Sequence, residues 1–335
     1  MEEGNFLQSK EYGKMNEILG EKVFYEDFNG EGWAVMIVRD AKRGRYLEIP
    51  CGPLIDWKNK EKTEKIFEKI KKIAKREKCV FIRIRPQLRE NKENLEILEG
   101  LGMKKSPMHL AAEHTVIIDL SASEEEMLSR MRRQTRYEVR RAEKLGIEVK
   151  KDNSKEIFDE FFKVQSETAK RQNFIPPSLK TLLAEKEAFG ENIMIYVAKI
   201  KSEKIMSARN ETPKKQGSEE DSEQAIAYGL IIKNGIEADY YEAASTELNH
   251  KLPGAYAVIW QAMKDLKKEG IKRFNLWGIA PPNQPNHRYA GVTTFKTGFG
   301  GEVVEFVPAH DLVINRVKYL KNLVVETVRR KRRHL

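Results

Sequence analysis

Apolar residues recur along this chain at two spacings, and the alternation between them predicts the elements. Steps of three and four residues predict a helix over Lys62 to Lys75, where Ile66, Phe67, Ile70, Ile73 and Ala74 share a face. They predict another over Tyr256 to Lys268, beside Ala255, Val258, Ile259, Ala262 and Leu266. Shorter apolar runs rich in branched side chains predict strands at Gly32 to Val38, Arg45 to Ile49, Val80 to Ile84, Met194 to Ile200, Ala225 to Ile232 and Arg273 to Trp277. Amphipathic helices are expected ahead of these runs, at Ser9 to Leu19 and Ser154 to Gln172.

The elements fall into two long copies of one order: helix, strand pair, turn, helix, strand. The turn is Cys51-Gly52-Pro53 in the first copy and Leu252-Pro253-Gly254 in the second. Each copy then reaches a glycine-containing element before its last strand, Leu98 to Met103 and Phe295 to Gly300. The expectation is two related α+β domains in tandem, residues 1–147 and 148–310. Three further segments complete the pattern. Ser123 to Leu145 opens with the capping box Ser123-Glu-Glu-Glu126 and meets no breaker before Gly146, which predicts one continuous helix. Residues 201–224 hold Pro213, Gly217 and an acidic run without an aromatic, which predicts a mobile insertion within the second domain. Val313, Val317, Leu320, Val324 and Val328 form one stripe of a C-terminal helix over 311–335, expected to dock on the first domain.

Composition narrows the function. Of 335 residues, 40% are hydrophobic and 33% charged, enough for two ordinary cores and too much for a disordered or fibrous chain. There is no run of 18 apolar residues, and Met1 to Lys10 lacks the zones of a signal peptide, so a cytoplasmic location is expected. Cys51 and Cys79 have no metal-ligand spacing and read as two buried thiols. The formal net charge of +10 favours a polyanion: nucleic acid, a phosphorylated substrate or an anionic membrane surface. Arg133, Arg136, Arg140 and Lys144 share a helical face that Arg130, Arg132 and Arg141 broaden, and Arg329 to Arg333 form a second basic cluster. The six histidines make no HExxH pattern, and neither a G-x-S-x-G elbow nor a P-loop is present, so no metal is expected. The best match to a coenzyme A turn, Arg288 to Thr293, ends in Thr and precedes no long helix, which argues against that cofactor.

Three segments together carry a resemblance: Arg132 to Val149, the strand end Asn275-Leu-Trp-Gly-Ile-Ala280, and Phe295-Lys-Thr-Gly-Phe-Gly-Gly301. They are similar to the FemABX family, from about Phe6 to Asp311, with residues 201–224 outside the pattern. The resemblance implies two acetyltransferase-like (GNAT) domains without a coiled-coil arm. It implies a peptidyltransferase that takes an amino acid from aminoacyl-tRNA and places it on an amine of a peptidoglycan stem peptide, with no cofactor beyond that co-substrate. It assigns Lys296 to the oxyanion, with Phe295 beside it, Lys14 to a phosphate and Tyr240 or Tyr241 to the acceptor. Arg132, Arg133, Arg136, Arg140 and Arg141 fall to the tRNA. The family's second phosphate-binding arginine falls near Ile236, which cannot bind phosphate, so the acceptor stays open between UDP-MurNAc-peptide and a lipid-linked muropeptide. The implied enzyme is a monomer in the cytoplasm or at the membrane periphery. Its rivals are another N-acyltransferase on the same fold, using acyl-CoA or a protein N-terminus, and a non-enzymatic RNA-binding module.

Overall fold

The computed structural model describes residues 4–41, 44–202 and 223–333, with side chains through Arg330. The expected insertion lies almost wholly outside the described residues. Two units form: Met1–Thr115 with Val304–Leu335, and Val116–Val303.

The first unit begins with α1 (Lys10–Ile18), whose first turn is capped by the Ser9 hydroxyl accepting from the Tyr12 amide. Strands β1 (Lys22–Asp27), β2 (Gly32–Ala41) and β3 (Gly44–Cys51) run antiparallel, and β4 (Leu54–Ile55) pairs with β2. A crossover through α2 (Lys60–Arg76) then sets β5 (Phe81–Pro86) parallel to β3, and α3 (Lys92–Gly100) leads to β6 (Lys104–Lys105). Ile66, Phe67, Ile70, Ile73 and Ala74 of α2 pack on Met36, Val38, Leu47, Ile49, Ile82 and Ile84, so the helical spacing in the sequence is the core face. Gln8 is buried between β2 and β3. Its Oε1 accepts from the Val35 amide at 2.9 Å and its Nε2 donates to the Pro50 carbonyl at 2.6 Å, replacing ladder bonds with side-chain bonds.

The second unit holds β7 (His114–Asp119), α4 (Glu124–Arg130), α5 (Arg133–Lys144), β8 (Glu148–Asp152), α6 (Lys155–Gln172), α7 (Leu179–Phe189), β9 (Ile193–Lys201), β10 (Glu223–Asn234), β11 (Glu237–Ser245), α8 (Gly254–Lys268), β12 (Arg273–Gly278), α9 (Ala290–Thr297) and β13 (Glu302–Glu305). Its sheet order is β13-β7-β12-β11-β10-β9-β8, with β11 and β12 parallel across α8. The chain then returns to the first unit as β14 (His310–Val313), placed between β5 and β6, and ends in α10 (Arg316–Arg333).

Four expectations are corrected. The boundaries fall at 115/116 and 303/304 rather than 147/148 and 310/311, because Val116, Ile118, Met127, Val139 and Ala142 belong to the second unit's core. The repeat is shifted by one strand: β1, missed from sequence, makes the first unit's set β1-β2-β3 match β9-β10-β11, where β11 was also missed. The helix expected over 123–145 keeps its capping box but breaks at Met131 and Arg132, both extended with ψ of 143 and 144. The Arg132 amide donates to the Gly298 carbonyl at 2.8 Å instead of to the preceding turn. Finally, Val313 lies in β14, and Val317, Leu320, Val324 and Val328 are exposed; α10 packs through its opposite face, with Tyr319 against Val80 and Phe81 and Leu323 beside them.

That inner face is held by charge. Arg83 on β5 donates Nε to Asp311 at 2.7 Å and Nη2 to Asp311 at 2.8 Å, and Nη2 also meets Glu326 of α10 at 2.8 Å. The Tyr319 hydroxyl completes the set by donating to Asp311 at 2.9 Å. Removing one member of such a buried, paired group strands the rest. Asp311→Asn should therefore cost about 3 kcal/mol in urea unfolding. A chain ending at His310, which lacks most of β14, should lose the first unit's cooperative melt, and one that melts like the full chain would refute this account.

Candidate active site

The segment Phe295 to Gly301 packs backbone against backbone on the start of the second unit. A Cβ at Gly298 would run into the Thr135 hydroxyl, and one at Gly301 into the Ile117 carbonyl. Gly300 has φ of 82°, a left-handed value that favours glycine, and a Cβ there would strike the Arg130 carbonyl. No side chain larger than hydrogen fits at these three positions, which fixes α9 against the α4–α5 break. The Arg132 guanidinium adds a bond to the Thr294 carbonyl at 3.0 Å.

Lys296 sits in the last turn of α9 and points inward, only 9% exposed. Its Nζ donates to the Gly278 carbonyl at the end of β12 at 2.8 Å, its one hydrogen bond among the described residues. Burial without a carboxylate partner pushes the amine down from 10.5 to about 7. Beside Gly278, Trp277 adopts φ of 62°, an uncommon conformation for a bulky side chain, and its amide donates to Asn275 Oδ1 at 2.9 Å. The Ala280 amide donates to Thr293 Oγ1 at 2.8 Å, so the strand end is stitched to the helix that carries the lysine.

The two tyrosines separate. Across β10 and β11 Tyr240 faces Ile231 and Glu242 faces Leu230, so Tyr241 is the extra residue of a bulge. Tyr240 points into the core beside Gly229 and Val258, where burial holds its hydroxyl well above the ordinary range. Its side chain is 5% exposed and packs within that core. Tyr241, half-buried, meets Trp277 edge to face with ring centroids 5.5 Å apart. Phe295 also belongs to packing: its ring lies 4.9 Å from Tyr256 and 5.4 Å from Phe299. Lys14 is exposed on α1 of the first unit. Lys296, Trp277 and Tyr241 are thus what the second unit brings together.

The basic helix is less uniform than its sequence. Arg136 donates to the carbonyls of Leu128, Ser129 and Met131 at 3.1 to 3.2 Å, capping the broken end of α4, and so serves the fold first. Arg141 pairs with Glu138 at 3.1 Å and donates to the Lys251 carbonyl at 3.0 Å. Arg133, Arg140 and Lys144 are exposed and form no ion pair among the described residues. They line a hollow of about 440 Å³ with Arg136, Arg141 and Tyr137, which is 58% exposed. Sequence reasoning passed over Tyr137 and the placement of Trp277, although an aromatic among arginines and a tryptophan just before Gly278 were both visible.

The two units together have the fold of tandem acetyltransferase-like domains. A solved structure described as FemX matches with a TM-score of 0.80 at 19% identity, covering 95% of this chain and 94% of that one. A tandem GNAT protein from the clavulanic acid biosynthesis pathway matches with a TM-score of 0.50 at 9% identity, over 84% of this chain and 78% of that one. The curated aminoacyltransferase FemA of Staphylococcus epidermidis is 24% identical over 82% of this chain and 81% of its own length. The family model of FemAB matches residues 1–216 and 201–326, and the chain belongs to the FemAB family.

An amine held near 7 in the folded state and near 10.5 in the unfolded chain costs stability in full below about pH 7, and the penalty fades as pH rises toward 10.5. Lys296→Met removes the charge and keeps the volume. It should raise the melting temperature at neutral pH by roughly 2–6 °C and give no such gain near pH 10.5. A variant that melts lower than the parent at both values would mean that the lysine is held there for packing.

Proposed function

We propose that this chain is an aminoacyltransferase that moves an amino acid from aminoacyl-tRNA onto an amine of a peptidoglycan stem peptide. The observation that carries the reading is Lys296, a buried amine on α9 that meets the end of β12 at the Gly278 carbonyl with its basicity pushed down to about 7, in a chain of the FemAB family. The acceptor nitrogen attacks the ester carbonyl, a C–N bond forms, the ester C–O bond breaks, and the proton leaving the amine ends on the ribose hydroxyl. Charge collects on the carbonyl oxygen during the attack. A cationic Lys296 placed at that oxygen stabilises the transition state more than the ground state. A non-enzymatic RNA binder has no use for a buried amine that costs stability.

Donor binding follows from the basic hollow. Arg133, Arg140 and Lys144 offer cations to phosphates and Tyr137 offers a ring face to a base. The negative charge of a bound donor favours the protonated lysine, so the enzyme is switched toward its cationic form by the substrate that needs it. The reading places the work in the cytoplasm, where charged tRNA is found, with an acceptor that is either nucleotide-linked or lipid-linked.

Four outcomes are expected. Transfer to a muropeptide acceptor, read as added mass, should vanish when the aminoacyl-tRNA pool is treated with ribonuclease and persist when acyl-CoA is withheld; the reverse pattern assigns the chain to the acetyltransferase chemistry of its fold. Lys296→Met should lower turnover by roughly 100-fold or more with acceptor affinity little changed. Replacing Arg133 and Arg140 by Gln should flatten the salt dependence of tRNA binding. In pH profiles, kcat/KM reports the free enzyme and should fall as pH rises through about 7, where Lys296 loses its proton. Turnover of the donor-bound enzyme should hold to higher pH, and one shared alkaline limb would separate Lys296 from the chemistry.

A further inference from the structure

The C-terminal helix α10 has two working faces. Its inner face is spent on the first unit through Tyr319, Leu323 and Glu326. On the outer face, 3.6 residues per turn bring Val317, Leu320, Val324 and Val328 into one stripe. These side chains are 81%, 60%, 62% and 44% exposed. Four aliphatic residues in a row on a solvent face exceed the scattered apolar residues that a surface normally carries. Around the stripe the helix sequence holds eight Lys and Arg against one acid, Glu326, which is already paired with Arg83.

We infer that the outer face of α10 docks on an anionic lipid bilayer, lying in the interface with its aliphatic stripe among the acyl chains. The charge decides the occupant. A second copy seated on the same stripe would bring eight cations against eight, whereas an anionic lipid surface offers a hydrocarbon layer beneath negative headgroups. A nucleic acid would satisfy the cations and leave the valines and the leucine in water. Arg316, Lys318 and Lys321 flank the stripe on long apolar stems, which lets their charges reach headgroups while the stems stay beside the aliphatic residues. No helix among the described residues is long and apolar enough to cross a membrane, so contact at the surface is the mode available to this one. The inference rests on α10 alone and stands or falls independently of the aminoacyl-transfer reading.

The test is co-sedimentation of the full chain with vesicles of phosphatidylcholine alone and of phosphatidylcholine with phosphatidylglycerol. The full chain should sediment with the phosphatidylglycerol vesicles and little with the others. Val317→Gln, Leu320→Gln and Val324→Gln together should lower that partitioning by roughly tenfold or more. The triple variant should keep the parent's melting temperature and its transfer rate on a soluble acceptor, because all three side chains are exposed. Three results overturn the inference: no sedimentation with phosphatidylglycerol, a triple variant that sediments like the parent, or a dimer in light scattering that the triple variant abolishes.

Discussion

The candidate site depends on a close approach between two stretches of backbone. Gly298, Gly300 and Gly301 lie so near Thr135, Arg130 and Ile117 that side chains are excluded. The contact turns the chain at Met131, supplies the carbonyl that takes the Arg132 amide and fixes the end of α9. With α9 fixed, Lys296 has one place to go, the carbonyl of Gly278. Burying an amine there opposes folding, and the opposition is met by the surrounding aromatic and aliphatic core rather than by a counter-ion. A site built this way is preorganised, since its cation is carried by a packed helix rather than by a loop.

The first unit solves a different problem with different means. One of its buried cations, Arg83, is fully paired by Asp311, Glu326 and the hydroxyl of Tyr319 on Asp311. Pairing of this kind adds little net stability compared with a hydrophobic replacement, but it permits one docking of the helix and penalises others. The contrast separates Arg83 and Lys296 by role. Arg83 is saturated and structural, whereas Lys296 is left with a single neutral acceptor and so keeps a capacity to respond to incoming charge.

How much of this was legible follows the range of the interactions. Local periodicity placed α2 and α8 and the capping box at Ser123, because those features depend on residues within a few positions of each other. The break at Met131 left no trace, since its cause is a glycine carbonyl more than 160 positions away. The bulge at Tyr241 was hidden for the same reason: one inserted residue reverses the facing of the strand, and alternation along a single strand cannot show it. Four of the five residues read as the α10 stripe do share a face, while Val313 falls in β14, and the sequence could not say that the core would take the opposite side. Lys296 was reached through its resemblance to a family motif, and its burial and depressed basicity through the structure alone.

The order of the strands has a consequence for synthesis. The second unit is one continuous piece of chain, Val116–Val303, while the first is assembled from both ends, with β14 entering between β5 and β6. A ribosome therefore releases most of the first unit early but withholds the strand and the carboxylates that close it until the second unit has emerged. Domains usually complete themselves in the order in which they emerge. Here the inserted unit has all of its strands in hand first, and the N-terminal half must wait with β5 lacking a partner on one side, an open edge of the kind to which other chains add.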